Sequence, residues 1–438
     1  MGVKYLGGMH MLNNQPLEND KVQYVSKLRF VNFKNNLDWD LKKFSSYIKL
    51  YRGSSPRPIS EYLTHDKDGV NWIKIGDTKN SINSKIYTAE EKITTDGAKK
   101  SRLVQKGELI LANSMSYGKT YELAIDGCIY DGWFVLREYE EHFYKPFLLH
   151  ILNSDYMQLQ YKKLAAGGVV QNISSEIVYQ TLIPHTSFEE QEKIANCLSS
   201  ITQLILEEEN KLSNYTKHKE GLLKHLFPKE IETIPKLRLS KFSDKWKAVE
   251  LSQIAKAVKK KNSTEDEIKV LSLSNEHGLV SQADYFLKKV AGDNTDRYII
   301  LQKNDFVYND RITKNSTYGT IKRLSLYESG IVSPIYKCFR FEKTQDPVFW
   351  EYFFESKTHE SEIKQIVNEG ARAGRYNISI DKFLSINVMQ PSFPEQEKIA
   401  SCLTSLDHLI SHQKNYIDQL KRHKKGLMQQ LFPVVEEI

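Results

Sequence analysis

The chain carries one long segment twice. Residues 187–228 read SFEEQEKIANCLSSITQLILEEENKLSNYTKHKEGLLKHLFP, and residues 392–433 read SFPEQEKIASCLTSLDHLISHQKNYIDQLKRHKKGLMQQLFP. The copies align without a gap at an offset of 205 residues, with about half the positions identical. A duplication of this size constrains the architecture before any other feature is weighed. Fainter copies lie upstream: Asn172-Ile173-Ser174 matches Asn377-Ile378-Ser379 at the same offset. Lys27-Leu28-Arg29 opens the first half as Lys236-Leu237-Arg238 opens the second, each followed by a tryptophan, Trp39 and Trp246. The order is therefore variable block, repeat, variable block, repeat. The expected boundaries are a loose polar leader at 1–26, a block at 27–186, a repeat at 187–228, a block at 229–391, a repeat at 392–433 and a tail at 434–438. Each block, at about 160 residues, is large enough for its own core.

The repeats read as long helices. Each opens with Ser-x-x-Glu (Ser187/Glu190 and Ser392/Glu395), the capping-box spacing, and closes at Pro228 or Pro433, where a helix stops. Between lies a 4-3 apolar spacing, from Ile194 to Leu226 and from Ile399 to Leu431, broken by Glu208 and Lys219 in the first copy and by Gln413 and Lys424 in the second. That is a coiled-coil seam. Antiparallel pairing with Glu208 opposite Lys424 and Lys219 opposite Gln413 leaves the other layers apolar, so this register is expected over a one-heptad slip. The blocks read as α/β, with strands near 71–75, 108–111, 270–273 and 305–308 and helical periodicity near 146–164 and 348–366. The expected fold is two α/β domains separated by two long helices that pair as an antiparallel coiled coil.

Several function classes fall away. No stretch approaches the roughly 18 apolar residues that span a bilayer, and residues 1–20 lack a signal-peptide core. The four cysteines, Cys128, Cys197, Cys338 and Cys402, form no CxxC pair, so a cytoplasmic location is expected. A net charge of +7 is compatible with nucleic acid without demanding it. Asn113–Thr120 (NSMSYGKT) ends like a phosphate-binding loop, but Asn113 replaces its first glycine, and Tyr121–Gly127 reads as a strand where a helix is needed. No catalytic constellation or metal-binding spacing is found, which favours a binding module.

The blocks offer loops that mix Arg, Lys, Asn and Tyr. In the first block the loop is NSMSYGKT; in the second it is Asn309–Gly319 (NDRITKNSTYG). A second loop pair, Ala165–Asn172 and Gly370–Asn377, precedes the repeats. Arg and Lys neutralise phosphates, and Arg or Asn bonds base edges bidentately. The candidate DNA contacts are Asn113, Tyr117 and Lys119 in the first block and Arg311, Lys314, Tyr318, Arg372 and Arg375 in the second; singly, each also fits a solvated polar loop. The basic runs Lys256–Lys261 and Lys421–Lys425 read as solvated faces.

The whole resembles the specificity subunits of type I restriction–modification systems. The likeness rests on His185–Ala195 (HTSFEEQEKIA) and Pro391–Ala400 (PSFPEQEKIA), the Leu-Phe-Pro helix ends, and the block openings Leu28–Phe30 and Leu237–Leu239. One departure is the reduction of the family's proline pair before the helix to Pro184 and to Pro391/Pro394. The resemblance implies a non-catalytic reader of double-stranded DNA, whose blocks are target recognition domains for the two halves of an asymmetric bipartite site. The paired helices would then act as a ruler and dock two methyltransferase subunits, with restriction subunits able to join. No cofactor is expected in this chain; S-adenosylmethionine and ATP with Mg would reside in the partners. The rival readings are a duplicated protein-binding assembly scaffold and an NTPase using Gly118–Thr120.

Overall fold

The computed structural model describes residues 26–35, 39–114, 118–165, 172–229, 232–239, 241–262, 269–275, 277–283, 295–314, 316–367 and 374–432. The expected leader, apart from Ser26, and the tail at 434–438 lie outside the described residues, as do Tyr117 and Arg372. The chain divides into two compact units. Unit 1 comprises residues 1–207 with 417–438, and unit 2 comprises residues 208–416.

In unit 1 the strands are β1 (Asp40–Lys43), β2 (Lys49–Arg52), β3 (Leu63–Thr64), β4 (Val70–Ile73), β5 (Lys85–Ile86), β6 (Glu91–Ile93), β7 (Arg102–Val104), β8 (Leu109–Ala112), β9 (Thr120–Leu123), β10 (Gly127–Ile129), β11 (Trp133–Arg137) and β12 (Leu182–His185). They form sheets ordered β2-β11-β8-β9-β5 and β3-β6-β4-β10-β7, with β1 and β12 as a separate antiparallel pair. Helices α1 (Thr95–Lys99), α2 (Lys145–Leu152), α3 (Asp155–Ala165) and α4 (Ser175–Gln180) precede the long α5 (Phe188–Leu226). Successive side chains of a strand point to opposite faces, and β8 uses both. Leu109 and Leu111 pack with α2 and with the start of α5. Ile110 joins Ile73, Ile129 and Val135 in a second core.

Unit 2 repeats the plan with β13 (Lys247–Glu250), β14 (Ala255–Ala257), β15 (Leu271–Ser274), β16 (Gly278–Ser281), β17 (Ile299–Gln302), β18 (Phe306–Asn309), β19 (Thr320–Arg323), β20 (Ser329–Val332), β21 (Lys337–Phe341) and β22 (Asn387–Gln390). The central sheet runs β14-β21-β18-β19, and β13 pairs with β22 as β1 does with β12. Helices α6 (Pro347–Glu355), α7 (Glu360–Ile366) and α8 (Ile380–Leu384) lead to α9 (Phe393–Leu431). The helical stretches expected near 146–164 and 348–366 are each two helices, α2 with α3 and α6 with α7. Among the described residues, no helix is long and apolar enough to cross a membrane.

The long helices are 39 residues each and start 205 residues apart, and they pair antiparallel. In unit 1, Ile194 and Leu198 of α5 share a core with Leu431 and Phe432 from the end of α9. In unit 2, Leu223 and Leu226 of α5 share one with Ile399 and Leu403 from the start of α9. The duplicated Leu-Phe-Pro ends gain a reason: Phe432 packs edge-on against Trp39, and Phe227 does the same against Trp246.

The expected register is corrected. Gln413, not Lys424, meets Glu208, donating to its carboxylate and to its backbone carbonyl at 3.2 Å. These are the same position of the two copies, since antiparallel copies must have one place where each helix faces its counterpart. Glu against Glu would repel there, and the Gln of the second copy supplies an amide donor instead. Lys219 lies opposite Asp407, 2.7 Å away, and also reaches Glu355 of α6 at 2.8 Å. Burial opposes the charge of Lys219, but Glu355 and Asp407 outweigh it and raise its pKa. Lys424 sits half-buried in unit 1 beside His150, and burial lowers the pKa of both. The expectation failed because it balanced charges only within the seam, whereas Lys219 is neutralised from its flank.

Glu208→Cys with Gln413→Cys is therefore expected to crosslink under mild oxidation. Lys219→Cys with Gln413→Cys is not, because Lys219 lies about 16 Å along the helix from Glu208 at about 1.5 Å per residue. A gel-shift comparison of the two variants decides, and the reverse pattern would restore the first register.

The capping boxes form only in part. The Glu190 amide donates to the Ser187 hydroxyl at 3.4 Å, but the Glu190 carboxylate is held by Arg29 at 2.7 and 2.8 Å and by Thr186 at 2.6 Å. Arg238 holds Glu395 in the same bidentate way, at 2.9 Å on each arm. The next residue is also used twice. Gln191 accepts from the Tyr144 amide, and Gln396 accepts from that of Asp346, so each glutamine ties its helix start to the α2 or α6 entry.

Candidate nucleic-acid interface

Each unit brings the described ends of its two sequence-identified loops together at the end of its central strand. In unit 1, β8 runs into Asn113, whose amide group donates to the Asp131 carbonyl at 2.9 Å and whose carbonyl accepts from the Ile173 amide at 2.8 Å. Ser114 then pairs with Asn172 in an isolated bridge. In unit 2, β18 runs into Asp310, and Arg311 pairs with Arg375 in the equivalent bridge. The Ile312 amide donates to the Gly374 carbonyl at 2.8 Å, extending the contact. Gly374, at φ +74°, takes a left-handed turn that suits glycine.

The structure sorts the candidates. Asn113 is only 4% exposed and its amide is committed, so it anchors its loop. Lys119, Arg311 and Lys314 are exposed, and Tyr318 is half-buried, stacked on Tyr376 with ring centroids 6.2 Å apart. Arg375 is partly committed, donating to Asn309 at 2.8 Å and to Asp310 at 3.1 Å. Gly118, at φ +81°, abuts the Tyr161 ring, and Lys119 is followed directly by strand β9. A phosphate-binding loop needs a helix N-terminus at that place; the NTPase reading loses its geometry.

Asp310 is the centre of the unit 2 site, and sequence reasoning missed it. Its side chain is 0% exposed and accepts from Lys337 at 2.8 Å, from Arg375 at 3.1 Å and from the Ile378 amide at 3.1 Å. Burial opposes ionisation, but the bond and charge of Lys337, helped by Arg375 and the Ile378 amide, hold the carboxyl below its ordinary pKa. One local signal was available: an acid immediately after a buried apolar strand, Phe306–Asn309, in a loop whose other charges are Arg311 and Lys314.

The basic run read as a solvated face also has structure. Lys256 pairs with Glu342, while Lys259 and Lys261 line a cleft of about 360 Å³ with Arg297, Tyr336 and Lys337.

No protein-family model matches the chain. Among curated proteins, it is 22% identical over 423 residues to the "Type I restriction enzyme MjaVIII specificity subunit" of Methanocaldococcus jannaschii, covering 89% of this chain and 91% of the relative. A second relative from that organism, the "Type I restriction enzyme MjaIX specificity subunit", is 26% identical over 171 residues, 38% of this chain and 39% of its own. In fold, the chain is similar to the type I restriction–modification S subunit from M. genitalium, with a TM-score of 0.52 at 16% identity, covering 94% of this chain and 99% of that one. It is also similar to a chain of a type I restriction–modification structure described for its complex assembly and conformational transition, with a TM-score of 0.56 at 16% identity, covering 90% and 97%. The resemblance carried by the repeated helices therefore extends over nearly the whole chain.

Proposed function

We propose that this relative of type I specificity subunits is the non-catalytic, DNA-reading subunit of such a system. In this reading residues 27–186 and 229–391 each take one half of an asymmetric bipartite target. The observation that supports it most is the pairing of two divergent loops at the same strand end of each unit, on frames that otherwise repeat. The frame is shared down to Arg29/Glu190 and Arg238/Glu395, while the loop residues differ, as two different half-sites require. Lys119, Arg311, Lys314 and Tyr318 are the proposed contacts, with Tyr117 and Arg372 outside the described residues. Asn113 and Arg375 would act chiefly by holding the loops. The paired helices would dock two methyltransferase subunits, and restriction subunits could join. S-adenosylmethionine and ATP with Mg would be the partners' cofactors.

The test is co-expression with the host's methyltransferase subunit, followed by long-read mapping of methylated adenines. A split motif that depends on this chain supports the reading. Co-purification without any motif would favour the assembly scaffold instead.

A further inference from the structure

Each unit has a cleft beside its central sheet, and the two share three equivalent positions whose chemistry differs. In unit 1 it is about 320 Å³ and is lined by Arg52, Asn113, Phe134, Asn172, Ser175 and Glu176. Strand registers align it with the cleft of unit 2. Phe134 pairs with Arg52, and Val135 with Ile110. In unit 2, Cys338 pairs with Val307, and the Ala257–Phe339 pairing continues towards Lys259 and Lys337. Lys259 thus stands in the place of Arg52, Lys337 in that of Phe134, and Ile380, one repeat on, in that of Ser175.

The unit 2 cleft is cationic, because Lys337 replaces Phe134 and because Lys261 and Arg297 join Lys259 in its lining. Among the described residues, Lys259, Lys261, Arg297 and Lys337 line it, and no carboxylate does. Lys259, Lys261 and Arg297 are exposed, and among the described residues none of the three forms an ion pair. Lys337 differs, because buried Asp310 fixes it 2.8 Å away and so ties the cleft to the loop pair. Asp296 precedes Arg297 in the chain but does not line the cleft. The unit 1 cleft has one cation, Arg52, which donates to the Asp131 carbonyl at 3.2 Å, and one acid, Glu176.

Three cations that line one cleft without an ion pair among the described residues repel each other, and a row of anions relieves that repulsion. We propose that the unit 2 cleft seats the phosphate backbone of DNA flanking the half-site read by that unit. The unit 1 cleft lacks this function, so the cleft adds salt-sensitive grip on the unit 2 side and the two half-sites are held unequally. This rests on the DNA-reading function proposed above.

The experiment measures binding of the chain, assembled with its methyltransferase partner, to a duplex carrying the mapped motif across a salt series. Each phosphate contact contributes about 0.9 to the slope of log K against log salt. The triple variant Lys259→Ala/Lys261→Ala/Arg297→Ala is expected to lower that slope by about 2.7, while the methylated sequence stays the same. The charge-preserving Lys259→Arg/Lys261→Arg/Arg297→Lys should keep the slope, and Arg52→Ala should change it by no more than about 1. An unchanged slope in the alanine variant overturns the proposal, as does altered preference at a base of the motif. If the wild-type complex reads no motif but the triple variant still loses slope on a mixed-sequence duplex, the cleft stands and sequence-specific reading falls.

Discussion

Arg29→Ala is expected to destabilise unit 1 by about 3–5 kcal/mol, the cost of leaving a buried carboxylate without its partner. Glu190 is 0% exposed, and Arg29 bonds both of its oxygens from 161 residues away in sequence. The thermal midpoint should fall by roughly 10 °C for a unit of this size. Arg238→Ala should do the same in unit 2, where Glu395 is 2% exposed. The double variant Arg29→Leu/Glu190→Leu should recover most of the loss, because it removes the stranded charge together with its partner. Calorimetry decides. A loss below about 1 kcal/mol for Arg29→Ala would mean that water or a neighbouring group takes over the carboxylate, and that the clamp is not what fastens the block to its helix.

Asp310→Asn is expected to cost about 2–3 kcal/mol, because it removes the charge that Lys337 and Arg375 share. Unit 1 carries Asn at the equivalent place without that cost, since Phe134 stands there in the position of Lys337. In the assembled complex the same variant should relax only the half of the methylation motif read by unit 2, because it frees the two loops that Asp310 ties. A merely structural role predicts lower stability with both halves intact. The pH dependence follows from the depressed pKa of Asp310. Its contribution is present above the ordinary carboxylate range and is lost as pH falls through the lower folded value. Wild type should therefore lose more stability than Asp310→Asn on acidification below about pH 4. Parallel acid profiles of the two proteins would refute this.

Much of the frame was legible because it was written twice or periodically. The 205-residue offset foretold two long helices, and both span 39 residues at that offset. The Asn-Ile-Ser copies marked the return segments that meet the strand ends at Ile173 and Ile378. The strand expected near 108–111 is β8, Leu109–Ala112, and the structure covers both of its faces. Glu190 and Glu395 were legible as helix starts but not as clamps, since a capping box and an arginine clamp use the same Ser-x-x-Glu letters.

Repeats, heptads and strand alternation are local patterns, so the duplication, the antiparallel helices and the two loop pairs could be read from the residues alone. Which charges neutralise which was settled by packing in space. The register turned on Lys219 finding Glu355, 136 residues on, and the unit 2 loops turned on Asp310 gathering Lys337 and Arg375. Charge pairing in a folded chain acts through space at a few ångströms, so spacing along the sequence does not say which distant partner a charge finds.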